Sequence, residues 1–337
     1  MKINRESNID IIRFISVFII INFHFCAALG KTGSPFYGYA NGGWGSVGTT
    51  MFYLISGYVM MLSYPKVTQT GLYYKKRALA LYPTFYIVFL AGYLYASIDR
   101  KNFLYGGAPW RILFSLLGID GYIALNGIQS YYIIGEWFTG VLIICYLLDP
   151  VLNFLIQKCE IITSLILFLA YFSNIFLHFS KTAPDAAVCT GIFLFWLGML
   201  IQKHSARLKR IKILIPLCII CIIVIVSVKL PFFELPYKNL LGLSLFMTLY
   251  LLFDQRVLPT GVAKCVSYIC KISYPVYLCH HVIINVLVGK NINRIHSSLD
   301  EILLLLAAYI LILIFSSLAY YLSGKLKHLM RQQKKER

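Results

Sequence analysis

Charge is what this sequence has least of. Only 13% of its 337 residues are charged, while 59% are hydrophobic, and no soluble globular domain reads that way. The net charge of +18 would ordinarily raise nucleic acid as a partner. The basic residues, however, fall in short clusters between apolar spans, a pattern of topology signals and of contact with anionic membrane lipids. No nucleic-acid partner is expected. The nine cysteines form no disulfide framework and no zinc-type spacing. Cys26, Cys145, Cys189 and Cys279 fall within spans, and Cys218-x-x-Cys221 lies in an apolar helix with no redox context, so it reads as packing. No internal repeat and no soluble domain is visible. The missing repeat argues against a transporter built from two matching halves.

What is present is a series of long apolar runs, and the first carries the most information. Asn8 to Gly30, NIDIIRFISVFIIINFHFCAALG, has about the ~20 residues needed to cross a bilayer. It begins like a signal peptide, but its apolar run is too long and holds Arg13 and His24. It therefore reads as a retained first helix. Ionisable groups inside a span are costly and default to a functional reading. Arg13 and His24 are eleven residues apart, close to three turns at ~3.6 residues per turn, so both leave one helix face about 16 Å apart along the axis. Asp10, one turn before Arg13, is placed to pair with it. The plainer reading is a polar pair that only joins helices.

Ten membrane helices are expected, at about 9–29, 47–64, 79–98, 137–156, 161–180, 188–202, 213–230, 238–253, 265–289 and 300–323. The apolar piece at 111–125 is too short to span and contains Asp120, so it is expected to be re-entrant or interfacial. The fold class is an all-α polytopic membrane protein. Residues 1–324 form a single transmembrane domain, and 325–337 a basic cytoplasmic tail. With the N-terminus inside, 20 of the 31 Lys and Arg fall in cytoplasmic links and termini and 9 in the opposite loops. Arg13 and Lys271 lie within spans. That asymmetry places both termini and the KHSARLKRIK link in the cytoplasm.

Three further stretches carry candidate chemistry. Lys75-Lys76-Arg77 precedes LALYP; Arg77, nearest the membrane, suits bidentate phosphate binding, whereas the lysines alone would serve as a topology signal. GEWFTG puts Glu136 and Trp137 at the outer mouth of a helix, where a solvated acid in an aromatic belt is the alternative. ISYPVYLCHHVII places Ser273, Tyr277 and His280 at helical spacing with His281 beside them. No acidic third ligand is near in sequence, and no metal is expected.

Arg-x10-His in the first helix resembles the signature of membrane acyltransferase family 3, multi-helix O-acyltransferases of bacterial glycans. MFYLISGYVM, with Ser56, resembles the family's aromatic-x-x-Ser-Gly-aromatic segment. KKRALALYP, with Tyr82, resembles its basic and Tyr-Pro opening of the third helix. EWFTGVLIICYLLDP resembles its Trp-initiated helix, and ISYPVYLCHH its Ser-Tyr-x-x-Tyr-Leu-x-His segment. The likeness spans roughly 8–290.

That resemblance implies transfer of an acyl group from cytoplasmic acyl-CoA, most simply acetyl-CoA, to a hydroxyl of a lipid-linked or surface polysaccharide. The acyl-CoA is a co-substrate, not a bound cofactor. His24 and Arg13 would be catalytic. Arg13, Arg77, Lys76, Lys75 and Tyr82 would hold the donor, and Asp10, Ser56, Glu136, Trp137, Tyr277, His280 and His281 the acceptor. The setting would be a bacterial cytoplasmic membrane. Two departures stand out: Ala80 occupies the place of a second arginine, and Leu142 and Ile143 the place of a glutamate. The rival functions are a transporter or flippase and a non-catalytic polysaccharide-assembly component.

Overall fold

The computed structural model describes residues 6–177, 182–231 and 234–332. It is an all-α polytopic architecture. Among the described residues thirteen α-helices follow one another: α1 (Ser7–Ala28), α2 (Trp44–Ser63), α3 (Thr70–Asp99), α4 (Ile112–Leu117), α5 (Asp120–Leu125), α6 (Glu136–Lys158), α7 (Glu160–Leu177), α8 (Val188–Lys203), α9 (Ser205–Leu208), α10 (Leu214–Ser227), α11 (Glu234–Leu252), α12 (Thr260–Asn291) and α13 (Ser298–Gln332). A two-residue hairpin, β1 (Gly38–Tyr39) and β2 (Gly42–Gly43), interrupts them.

Among the described residues eight helices are long and apolar enough to cross a membrane, and two shorter apolar helices, α8 and α10, complete the expected ten. Only 22% of the most apolar stretch of α7, and of α13, is buried. Their outer faces are rows of Leu, Ile and Phe, surface that hydrocarbon and not water covers. Two bounds differ from expectation. The third helix starts at Thr70 and not near 79, so Lys75, Lys76 and Arg77 ride on its second turn. The last helix does not stop at 324 but continues to Gln332.

The chain divides into two compact units. The first comprises Met1–Ala27, Lys31–Thr68 and Ile144–Cys270, the second Ala28–Gly30, Gln69–Ile143 and Lys271–Arg337. In the first unit α2 packs hard against α8. A Cβ on Gly57 would sit 1.9 Å from the Phe195 carbonyl oxygen, and one on Gly198 would sit 2.2 Å from that of Leu54. Small residues at such crossings let membrane helices approach where the hydrophobic effect cannot drive association. A buried polar chain joins three helices: Thr50 Oγ1 donates to Asn239 Oδ1 and Asn239 Nδ2 to Tyr171 Oη, each at 2.8 Å. One end of this unit gathers the links that share a side in the topology above. Lys203 and His204 both meet Glu160 at 2.7 Å, Lys209 meets Asp254 at 2.8 Å, Gln157 donates to Pro65 O and Asn153 to Tyr64 O. Tyr58 Oη donates to Glu6 at 2.6 Å at the same end.

In the second unit α4 and α5 form the short segment expected at 111–125. Gly118 turns the chain between them at φ +74°, and Ile143 leaves no room for a Cβ there. Tyrosines on α3 hold the segment down: Tyr93 Oη donates to Phe103 O, Tyr86 Oη to Leu116 O and Tyr82 Oη to Leu117 O. From Tyr93 to Tyr82 is about 16 Å along α3 at ~1.5 Å per residue. The segment therefore runs back along that helix before returning through α5, which is a re-entrant course.

Candidate active site

In the first unit the site is built on α1. The helix runs unbroken from Ser7 to Ala28 without proline, so Arg13 and His24 keep the common face that their spacing dictates. Both are half-buried. Around His24 the surroundings are aromatic. Phe23 meets the His24 ring edge-on at 5.1 Å and stacks on Tyr37 at 5.0 Å. The Gly-rich loop makes room for this pair, because a Cβ on Gly43 or Gly45 would strike the Phe23 ring at 2.9 or 2.5 Å. Asn41 anchors the loop: its amide donates to Ile225 O and Val228 O at 2.6 Å each, and its oxygen accepts from Leu230 N–H at 2.8 Å. Ser46 Oγ donates to Asp185 Oδ2 at 3.1 Å. His24 thus lies beside a loop held in place by hydrogen bonds.

Asp10 is buried at the start of α1, where its carbonyl accepts a hydrogen bond from the Cys270 thiol at 3.0 Å. It lines a cavity of about 350 Å³ together with Ser7, Arg256 and Val266. Ser56, on α2, is half-buried and makes no side-chain hydrogen bond among the described residues. Its neighbour Gly57 is explained by the crossing with α8. A polar cluster that the sequence reading missed lies at the end of the unit that holds Glu6: Tyr58 Oη and Tyr250 Oη are 3.1 Å apart, and the Lys209 ammonium stands 5.2 Å from the Tyr250 ring centre. Its members are too scattered in sequence to signal one another.

In the second unit Lys75 and Lys76 are exposed and Arg77 is half-buried. Tyr82 stacks on Tyr86 at 5.4 Å and spends its hydroxyl on Leu117 O at 3.1 Å, which supports the re-entrant segment. Pro83 has no N–H for the Leu79 carbonyl and crowds that turn. The following carbonyl, that of Ala80, accepts a hydrogen bond from Lys327 Nζ on α13 at 3.2 Å. Glu136 opens α6, but its side chain lies outside the described residues. Trp137 is half-buried against Phe138. The α6 start docks on α12 where Gly135 N–H donates to Leu278 O at 3.3 Å. Leu142 is buried, and Ile143 packs on Gly118, so apolar side chains here serve the re-entrant turn.

Tyr277 and His280 are brought together, with ring centres 5.7 Å apart, and Phe138 lies 5.0 Å from Tyr277. His280 is fully buried, and its Nδ1 lies 2.7 Å from Tyr277 O and 3.2 Å from Val276 O. Carbonyls only accept, so Nδ1 carries the proton. His281 Nε2 accepts from Asn285 Nδ2 at 3.1 Å. Beside them α3, α12 and α13 enclose an apolar cavity of about 360 Å³ with Lys290 in its lining. Hydrocarbon fits it better than proton transfer. Among the described residues no three His, Cys, Asp or Glu converge on a possible metal position.

A family model described as an acyltransferase domain matches residues 6–321. No curated protein and no solved structure matches the chain.

Proposed function

The chain belongs to acyltransferase family 3 and is an acyltransferase of the membrane, and from that premise we propose an O-acyl transfer from cytoplasmic acyl-CoA, most simply acetyl-CoA, to a sugar hydroxyl of a lipid-linked or surface polysaccharide. The carrying observation is the single unbroken helix that presents a half-buried cation and a half-buried imidazole on one face. The chemistry needs both. Arg13 in the first unit and, in the second, Arg77 with the neighbouring Lys75 and Lys76 are each cations suited to phosphates of the donor. Neutral His24 offers a nitrogen lone pair to the acceptor hydroxyl. As the hydroxyl oxygen bonds to the thioester carbonyl carbon, His24 takes its proton. The C–S bond then breaks, and the CoA sulfur leaves and takes up that proton. A second course passes through an acyl group on His24 itself.

About 16 Å separates Arg13 from His24 along the helix, a distance that a pantetheine arm spans from a nucleotide held at Arg13. The acceptor approaches from the opposite side; the candidates to orient it are Ser56 in the first unit and, taken separately, Glu136, Trp137, Tyr277, His280 and His281 in the second, whereas Asp10 stands at the Arg13 end of α1. The membrane is the bacterial cytoplasmic membrane, with both termini inside. Mass spectrometry of the host's surface glycan, with and without this protein, tests the reading. The expected result is a mass difference of one acyl group per modified unit. An unchanged glycan in every fraction would contradict it.

A further inference from the structure

The sequence presents the basic C-terminal stretch as a tail. The fold instead continues α13 to Gln332 and lays it along α3. Leu311 and Phe315 share a cavity with Val88, Ala91, Gly92 and Tyr95, while Lys327 reaches Ala80. Later residues of one helix therefore meet earlier residues of the other, and the two run antiparallel. This brings the half-buried Lys327 onto the turn of α3 that follows Arg77. Helix positions three apart are surface neighbours, with Cβ atoms about 5–6 Å apart, so positions 77 and 80 present one strip of surface. Arg77 supplies a guanidinium to that strip and Lys327 an ammonium from another helix. Ala80 itself supplies nothing but its carbonyl.

We propose that Lys327 and Arg77 together form the seat for the phosphates of the acyl donor, with α13 delivering the cation that position 80 lacks. The inference rests on the acyl-CoA reading of the donor. A guanidinium grips one phosphate bidentately, whereas an ammonium is a compact charge with three rotatable donors, a combination suited to a diphosphate. The plainer alternative is that Lys327 only satisfies a carbonyl near the Pro83 turn. The two differ in what they predict for the ligand.

The experiment measures equilibrium binding of CoA and of pantetheine, which lacks the phosphates, to the purified full-length protein. The variants are Lys327→Met, Lys327→Arg, and Lys327→Met combined with Ala80→Arg. The expected result is roughly tenfold weaker CoA binding for Lys327→Met, the loss of one contact to a charged group. Pantetheine binding should not change, Lys327→Arg should bind CoA as the parent does, and Ala80→Arg should restore it in the double variant. Should Lys327→Met fail to accumulate, Lys327→Arg and the double variant carry the test. CoA affinity unchanged in Lys327→Met, with only a lowered Tm, would overturn the inference and leave the donor reading standing. A parent protein that binds CoA no better than pantetheine would overturn both.

Discussion

Asp120 and His24 show how differently two ionisable side chains sit in one apolar chain. Asp120 is 2% exposed at the start of α5, and burial pushes its carboxyl from 3.8 up to about 6, against the opposing pull of Ser115 and the Gly121 N–H. A folded value above the unfolded one makes the ionised form the costly one. The cost is full above about pH 6 and is relieved as pH falls towards 4. Thermal stability in detergent should therefore rise between pH 7 and pH 5. Asp120→Asn should raise Tm at pH 7 and flatten that dependence; a Tm for Asp120→Asn that tracks the parent at every pH would contradict it. His24, by contrast, is half-exposed beside a hydrogen-bonded loop, the setting a proton-transfer group needs. At Arg77 the expected effect is kinetic. Arg77→Ala should raise the apparent KM for the donor more than it alters acceptor dependence, because phosphate contacts made equally in ground and transition states act on KM. Steady-state titration of each substrate would show it.

At the scale of elements, the apolar runs marked the helices well. Among the described residues each of the ten expected segments is helical, eight of them long and apolar enough to cross a membrane, and the short piece at 111–125 folds back along α3. The bounds failed where polarity misled. Lys75, Lys76 and Arg77 looked like a link, yet α3 starts at Thr70 and buries Tyr73 ahead of them; the basic residues after 324 looked like a tail because polarity hid a helix in the same way. The role of Tyr82 was hidden because its partner is a backbone carbonyl, which no side-chain pattern announces. Helix crossings were equally hidden: MFYLISGYVM drew attention to Ser56, and nothing in its pattern announces that Gly57 beside it leaves room for the Phe195 carbonyl. Gly57→Ala should push α2 from α8 and cost about 1–3 kcal/mol, the usual range for overpacking. Gly289→Ala, with nothing within 4 Å of the added methyl, should be neutral or slightly stabilising. Thermal unfolding of the two variants in one detergent would separate them; equal losses would contradict the packing account.

For the whole molecule, the charge pattern and the ion pairs agree on which links share an end. Glu160 with Lys203 and His204, and Lys209 with Asp254, knot the links after α6, α8 and α11 together. The account puts that end in the cytoplasm, where acyl-CoA is made available. Arg207→Cys in a cysteine-free background should resist an impermeant thiol reagent added to intact cells and react after lysis. Labelling from outside would invert the layout, and the donor would then have no access to its cations.

The central claim is that His24 takes the proton from the acceptor hydroxyl or carries the acyl group. Acylation of the glycan by the His24→Gln variant, measured at equal membrane accumulation, tests it most directly. Glutamine keeps a hydrogen-bonding side chain but cannot take up a proton. General base catalysis contributes about 10²–10⁴-fold, so the account predicts a loss of at least about two orders of magnitude, with the protein still inserted and accumulated. Near-normal acylation by His24→Gln would contradict both roles and leave His24 a residue of helix packing.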